Sequence, residues 1–189
     1  MAANQSTSKS ASKSPAKAPA KAAGKAKPAS RTKRKTERAA ARPADAIKLL
    51  KDDHKEVKGW FKQYEDLEDE AEKQALAGKI CLALTVHTQI EEEIFYPAAR
   101  AEIDDDDLLD EAEVEHASAK QLIAEIQAMT AGEPLYDAKV KVLGEYVAHH
   151  VEEEESEMFP EARDSDLDLK ALGEQMAVRK AELMKQAVQ

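Results

Sequence analysis

Aromatic residues make up only 4% of this 189-residue chain, and none precedes Trp60. Such poverty argues against a β-sandwich, whose strands draw on aromatic and β-branched residues. There is one cysteine, Cys81, so no internal disulfide can form and a reducing compartment suits the chain. No run approaches the roughly 18 apolar residues that a membrane-spanning helix needs. The first ten residues also lack the apolar centre of a secretory signal. These absences predict a soluble, cytoplasmic protein. Glycine (6) and proline (7) are scarce as well, which leaves room for long uninterrupted helices.

Charge is abundant, at 35% of residues, and it is sharply divided. Residues 1–43 carry 12 Lys/Arg against a single acid, Glu37, whereas residues 44–189 carry 16 bases against 37 acids. Two different physical objects have been joined. Residues 1–42 consist largely of Ala, Lys, Ser and Pro, with lysines at 9, 13, 17, 21 and 25 before the cluster Arg31, Lys33, Arg34 and Lys35. Nothing there can bury enough apolar surface to offset backbone ordering, so a disordered tail is expected. Its composition is similar to the tails of linker histones and bacterial histone-like proteins. Sequence-independent attraction to phosphates is the functional expectation, which would make the protein nucleoid-associated. The plain alternative is a solvated tail that contacts only the acidic body. Without aromatics the tail has nothing on which bases can stack.

From Pro43 onward the pattern is helical. Ile47, Leu50, His54, Val57, Phe61 and Tyr64 step by three and four, and the acid-rich 65–70 stretch marks a turn. Ile80, Leu84, His87, Glu91 and Ile94 form a second stripe, running to about Ala101 with a kink or stop expected at Pro97. Asp104 to Asp107 open a third helix, whose stripe is Leu109, Ala112, His116, Ala119, Ile123 and Ile126, and Gly132 and Pro134 end it. The fourth carries Leu143, Tyr146, His150, Glu154 and Met158 up to Pro160. The expected fold is therefore all-α, an up-down antiparallel four-helix bundle over 43–163. Residues 164–189 add an amphipathic helix (Leu169, Leu172, Met176, Leu183) that would cap or flank the bundle or mediate dimerisation. A monomer or a homodimer fits equally.

Four of the five histidines fall on core stripes. If three of seven helix positions face inward, that coincidence would arise by chance only about 3% of the time. His87/Glu91 and His150/Glu154 are i, i+4 pairs, each on one face of its helix. A buried carboxylate is costly unless something positive compensates it. No lysine or arginine sits in the first, second or fourth stripe. A metal cation is the simplest neutraliser, and imidazoles with carboxylates suit iron, manganese or zinc. All four histidines lie near mid-helix, so antiparallel helices bring them to one level.

The order His54, His87-Thr-Gln-Ile-Glu91, His116, His150-Val-Glu-Glu-Glu154 resembles the H…HxxxE…H…HxxxE pattern of bacterial hemerythrin-like (HHE cation-binding) proteins. The flanking Asp53, Glu92 to Pro97, Glu115 and Glu155 to Pro160 match too, and helices two and four repeat at an offset of 63. The resemblance covers about residues 44–163. It implies a non-haem di-iron centre held by His54, His87, Glu91, His116, His150 and Glu154. The two carboxylates would bridge the ions, and an oxo or hydroxo bridge is compatible with that set. Glu115 is a candidate extra ligand, and His149 would replace His150 if the register slipped by one. Oxygen-carrying hemerythrins have a further histidine where this chain has Lys120, and an aspartate five residues beyond the fourth-helix histidine where it has Glu154 at four. This departure points away from reversible oxygen carriage and toward reaction with oxygen, peroxide or nitric oxide. Iron storage or buffering without turnover is the alternative; no organic-substrate active site is recognisable.

The other residues have plainer readings. Tyr64 and Tyr146 lie on inner faces, where they either pack or hydrogen-bond a bound oxygen species. Trp60 and Phe61 read as core or edge, Cys81 as a small buried residue. The acid runs 104–107 and 152–155, Glu154 apart, read as solvated faces.

Overall fold

Helix α1 spans Ala46–Glu65, and Asp45 caps it by accepting from the Lys48 amide at 2.8 Å. The structure is a computed structural model that describes residues 45–103 and 105–187. The basic tail 1–42, including Arg31, Lys33, Arg34 and Lys35, lies outside the described residues, as do Pro43 and Asp104.

Helix α2 covers Glu70–Ile90 and starts on Asp69, whose carboxylate accepts from the Glu72 amide at 3.0 Å. That cap, rather than a glycine or proline, fixes the soft boundary expected between residues 65 and 70. After α4 (Asp106–Gln127) the chain turns at Gly132, whose φ of 89° is left-handed. A Cβ there would lie 2.5 Å from a Glu70 carboxylate oxygen, so the turn both needs glycine and packs on the start of α2. Helix α5 covers Tyr136–Glu153, α6 Phe159–Asp164 and α7 Leu169–Gln186. The described residues contain no strand.

The helix carrying Pro97 ends close to it, at Ala99, as expected, but the turn before the proline is not α-helical. The chain passes from α2 through a π-helical turn, Glu91–Phe95, into α3, Tyr96–Ala99. The Tyr96 amide reaches back five residues to the Glu91 carbonyl. The same happens at Glu154–Met158, where the Phe159 amide reaches Glu154 ahead of Pro160. Proline cannot donate and crowds the carbonyl four residues earlier. A widened turn just before it lets the helix continue. Both π turns begin on one of the two buried glutamates.

Helices α1, α2, α4 and α5 form the up-down antiparallel bundle, with α1 against α2 and α5, and α4 against α2 and α5. Helix α7 flanks it, lying on α1, α2 and the first π turn, with Met176 and Leu183 buried in the bundle core. Helices α1 and α4 each cross two apolar clusters with a histidine between them. On α1, Ile47 and Leu50 belong to one cluster and Val57 and Tyr64 to the other. On α4 the division falls between Ala112 and Ala119, on either side of His116. Burial of these faces supplies the driving force, at roughly 25 cal/mol per Å² of apolar surface. Among the described residues no helix is long and apolar enough to cross a membrane.

Candidate metal centre

Among the described residues seven polar or charged ones are buried: His54, His87, Thr88, Glu91, His116, His150 and Glu154. All but Thr88 belong to the set singled out in the sequence, and they meet at one level. His54 and His87 face each other Nε2 to Nε2 at 3.1 Å, and His116 and His150 do so at 3.2 Å. Glu91 lies between the two histidine pairs, its Oε1 3.2 Å from His87 and its Oε2 3.5 Å from His116. Glu154 does the same through Oε2, at 3.2 Å from His54 and 3.5 Å from His150. Two overlapping groups with metal-binding geometry result: His54, His87, Glu91 and Glu154, and Glu91, His116 and His150.

The residues fit cations. Both Glu91 oxygens and Oε2 of Glu154 are buried with no hydrogen-bond donor. No lysine or arginine is buried among the described residues. Carboxylates so placed are costly alone, and four imidazole nitrogens converge on them. Burial opposes a charge on His87, yet Glu91, Asp53 and Glu154 outweigh it and push its pKa up to about 10. Burial likewise opposes the Glu154 carboxylate, but His150, His54 and His87 hold its pKa below the usual range. A proton on His87 and a metal ion would compete for the same lone pair.

The outer nitrogens are braced in a closed ring that the sequence reading missed. Each Nδ1 meets a carboxylate from a different helix: His54 with Glu155 at 3.1 Å, His87 with Asp53 at 3.5 Å, His116 with Glu92 at 2.9 Å and His150 with Glu115 at 2.8 Å. Such partners fix the ring and hold a proton on Nδ1, so that in the neutral ring Nε2 is the nitrogen turned inward to bind an ion. Each of these acids sits next in sequence to a ligand candidate yet serves a histidine elsewhere. Only the pattern of acidic neighbours could have signalled them. Glu155 is thus no mere solvated acid, and Glu115 stands on the outer side of His150 rather than among the inward-facing atoms. His149 also points outward, 65% exposed, with Nε2 3.4 Å from Glu153 and 3.6 Å from Glu115, and these three form a separate outer group close enough to hold an ion.

Lys120 faces outward too and holds Glu92 at 2.5 and 2.6 Å. Of the two tyrosines read as packing or bonding a small ligand, Tyr64 is turned away from the histidines and Tyr146 lines the outer rim of the cavity against them. The Tyr64 hydroxyl donates to Asp137 at 2.7 Å, and Tyr146 is half exposed at the rim. The residue in place is Tyr96, on α3. Its buried hydroxyl donates to Glu154 Oε1 at 3.0 Å and lies 3.3 Å from His116 Nε2. Burial first, and then Glu154 and Glu91, raise its pKa well above the ordinary phenol value, so it keeps its proton. Sequence spacing hid it, because the π turn shifts the register just before residue 96. Cys81 is buried as expected, and burial pushes its thiol up to about 11. Trp60 lies at the edge under Lys79, whose ammonium is 3.8 Å from the ring centroid.

Against the histidines lies a cavity of about 30 Å³, walled by Val57, Leu84, Ala119, Val147 and Val151. A space of that size admits a water-sized molecule.

Comparison with known proteins agrees with this geometry. A DNA nickase from a Nostoc species is 31% identical over 120 residues, 62% of this chain and 33% of that protein. The chain thus spans about a third of that relative's length. A crystal structure of a hemerythrin HHE cation-binding domain-containing protein from Mycobacterium kansasii superposes with a TM-score of 0.66 at 27% identity, covering 77% of this chain and 90% of that one. The profile of the hemerythrin HHE cation-binding domain matches residues 45–162. The chain belongs to the hemerythrin HHE cation-binding domain family.

Proposed function

We propose that this site holds two iron ions and that the centre reacts with oxygen, peroxide or nitric oxide. One observation carries the reading. Two fully buried carboxylates with unpartnered oxygens, Glu91 and Glu154, lie between two facing pairs of imidazole nitrogens. His54 and His87 would hold one ion and His116 and His150 the other, with Glu91 and Glu154 shared between them. Bound iron would supply the electron-transfer chemistry toward small oxygen and nitrogen species. The chain's own residues do the rest. Val57, Leu84, Ala119 and Val147 give the cavity an apolar wall and a size that admits a water-sized molecule. Asp53, Glu92, Glu115 and Glu155 hold a proton on each Nδ1. Tyr96 keeps a hydroxyl proton directed to Glu154 Oε1. Protein purified anaerobically should carry iron, and its optical spectrum should change when peroxide is added. An unchanged spectrum with peroxide left intact would favour storage or buffering, and absence of iron would sink both.

A second reading concerns nucleic acid. The 12 bases of residues 1–43, together with the similarity to a DNA nickase, support an association with DNA in which the tail carries the contact. Deleting residues 1–42 should abolish retention on DNA at low salt, and the retention should fall steeply as salt rises. If the full-length chain is not retained at low salt, this reading fails.

A further inference from the structure

Three of the four carboxylates that brace the histidines are themselves held by a lysine. Lys51 meets Glu155 at 3.0 Å and Lys120 meets Glu92, both from helices of the bundle. The third lysine comes from elsewhere. Lys180, on α7, reaches across to Asp53, the carboxylate that meets His87 Nδ1. Helix α7 lies wholly outside the matched 45–162 segment.

Asp53 is the carboxylate most in need of such a partner. Its side chain is 13% exposed, against 23% for Glu115, 31% for Glu155 and 32% for Glu92. A carboxylate this sheltered is poorly served by water, so its orientation depends on a fixed cation. The preceding residue on α7 acts on the same side. Arg179 clamps Glu93 with two hydrogen bonds, 2.6 and 2.9 Å long, and Glu93 lies in the π turn that begins on Glu91. Met176 and Leu183, one turn to either side of this pair, are buried in the bundle core and set the height of the helix. Two adjacent cations on one anchored helix thus grip the chain on both sides of the His87/Glu91 pair. The His116/His150 pair has no such strap, because α7 lies on α1 and α2.

We propose that Lys180 is a positioning residue for the metal centre: through Asp53 the C-terminal helix fixes the ring of His87, and only that ring. This rests on the reading of His87 as a ligand. The contact itself is testable without metal.

The test is proton–nitrogen NMR of the imidazole N–H groups in full-length protein, metal-free and cobalt(II)-loaded, for wild type, Lys180→Met, Lys180→Arg and Lys170→Met. Lys170 is an exposed lysine of the same helix and serves as control. In metal-free protein Lys180→Met should lose the protected His87 N–H signal through exchange with water. The signals of His54, His116 and His150 should stay in place. Lys180→Arg should restore the His87 signal, and Lys170→Met should leave all four unchanged. In cobalt-loaded protein the same variant should move only the His87 resonance among the paramagnetically shifted signals. Unchanged His87 signals in Lys180→Met overturn the proposal. Equal disturbance of all four also overturns it, since that marks a general structural role. Should the protein take up no cobalt, the metal reading fails while the metal-free spectra still decide the role of Lys180.

Discussion

The two sides of the centre are built alike and finished differently. His54 with His87 and His116 with His150 are related by offsets of 62 and 63 residues, as are the acids Asp53 and Glu115, and Glu92 and Glu155. Facing distances of 3.1 and 3.2 Å show how closely the repeat is obeyed inside. Outside, the symmetry ends. Each side has one lysine brace from the bundle, Lys51 on Glu155 and Lys120 on Glu92, but only the His54/His87 side is backed by α7, through Lys180. The other side has Tyr96 against His116, and its outermost brace at Glu115 is an exposed histidine, His149. An inner shell constrained by ions tolerates little variation. The layer around it is where two like sites can become unlike in potential and reactivity.

The largest effect expected is the one that erases the distinction. Glu91 approaches both histidine pairs, so Glu91→Ala should lose metal from both, whereas His150→Ala should lose about the half held with His116. Metal analysis by plasma mass spectrometry reads both. Equal losses in the two variants would show that the pairs do not act as separate ion sites.

Next come the two apolar clusters that flank the centre. Leu50 in one and Leu143 in the other are completely buried, and replacement of either by alanine should cost about 2–5 kcal/mol. Urea unfolding measures the loss. If only one end matters, the bundle is not one cooperative unit.

Tyr96→Phe removes a buried hydroxyl and leaves Glu154 Oε1 without that donor. A cost of about 1–3 kcal/mol follows. The spectrum of the His116 side should change while the metal content holds. A variant with a wild-type spectrum would place Tyr96 outside the chemistry.

The smallest effect is expected at Lys120. Its pair with Glu92 is about half exposed at the lysine, so Lys120→Met should alter stability by less than about 1 kcal/mol in a thermal melt. A larger loss would mean that Glu92 depends on its cation as Asp53 does.

Much of this was legible in the chain itself. Helical periodicity placed His54, His87, His116 and His150 inside, and the i, i+4 spacing brought Glu91 and Glu154 with them, because burial and periodicity are local properties of a stripe. What the stripe cannot carry is a change of register. The π turns at Glu91 and Glu154 add an extra residue to the turn, which brings Tyr96 inward where α-helical counting favoured Tyr64 and Tyr146. Nor can a stripe show contacts across helices. Asp53 stands beside His54 yet serves His87, and Lys180 joins it from 127 residues away. Such pairings exist only once the helices are side by side.

In the proposed centre the buried glutamates and the two histidine pairs make one site for two ions. Anaerobic titration of metal-free protein with iron(II), followed calorimetrically, counts those ions. Saturation at one ion per histidine pair, abolished in Glu91→Ala, is the predicted result. Saturation at a single ion per chain, or an unchanged titration in Glu91→Ala, would contradict it.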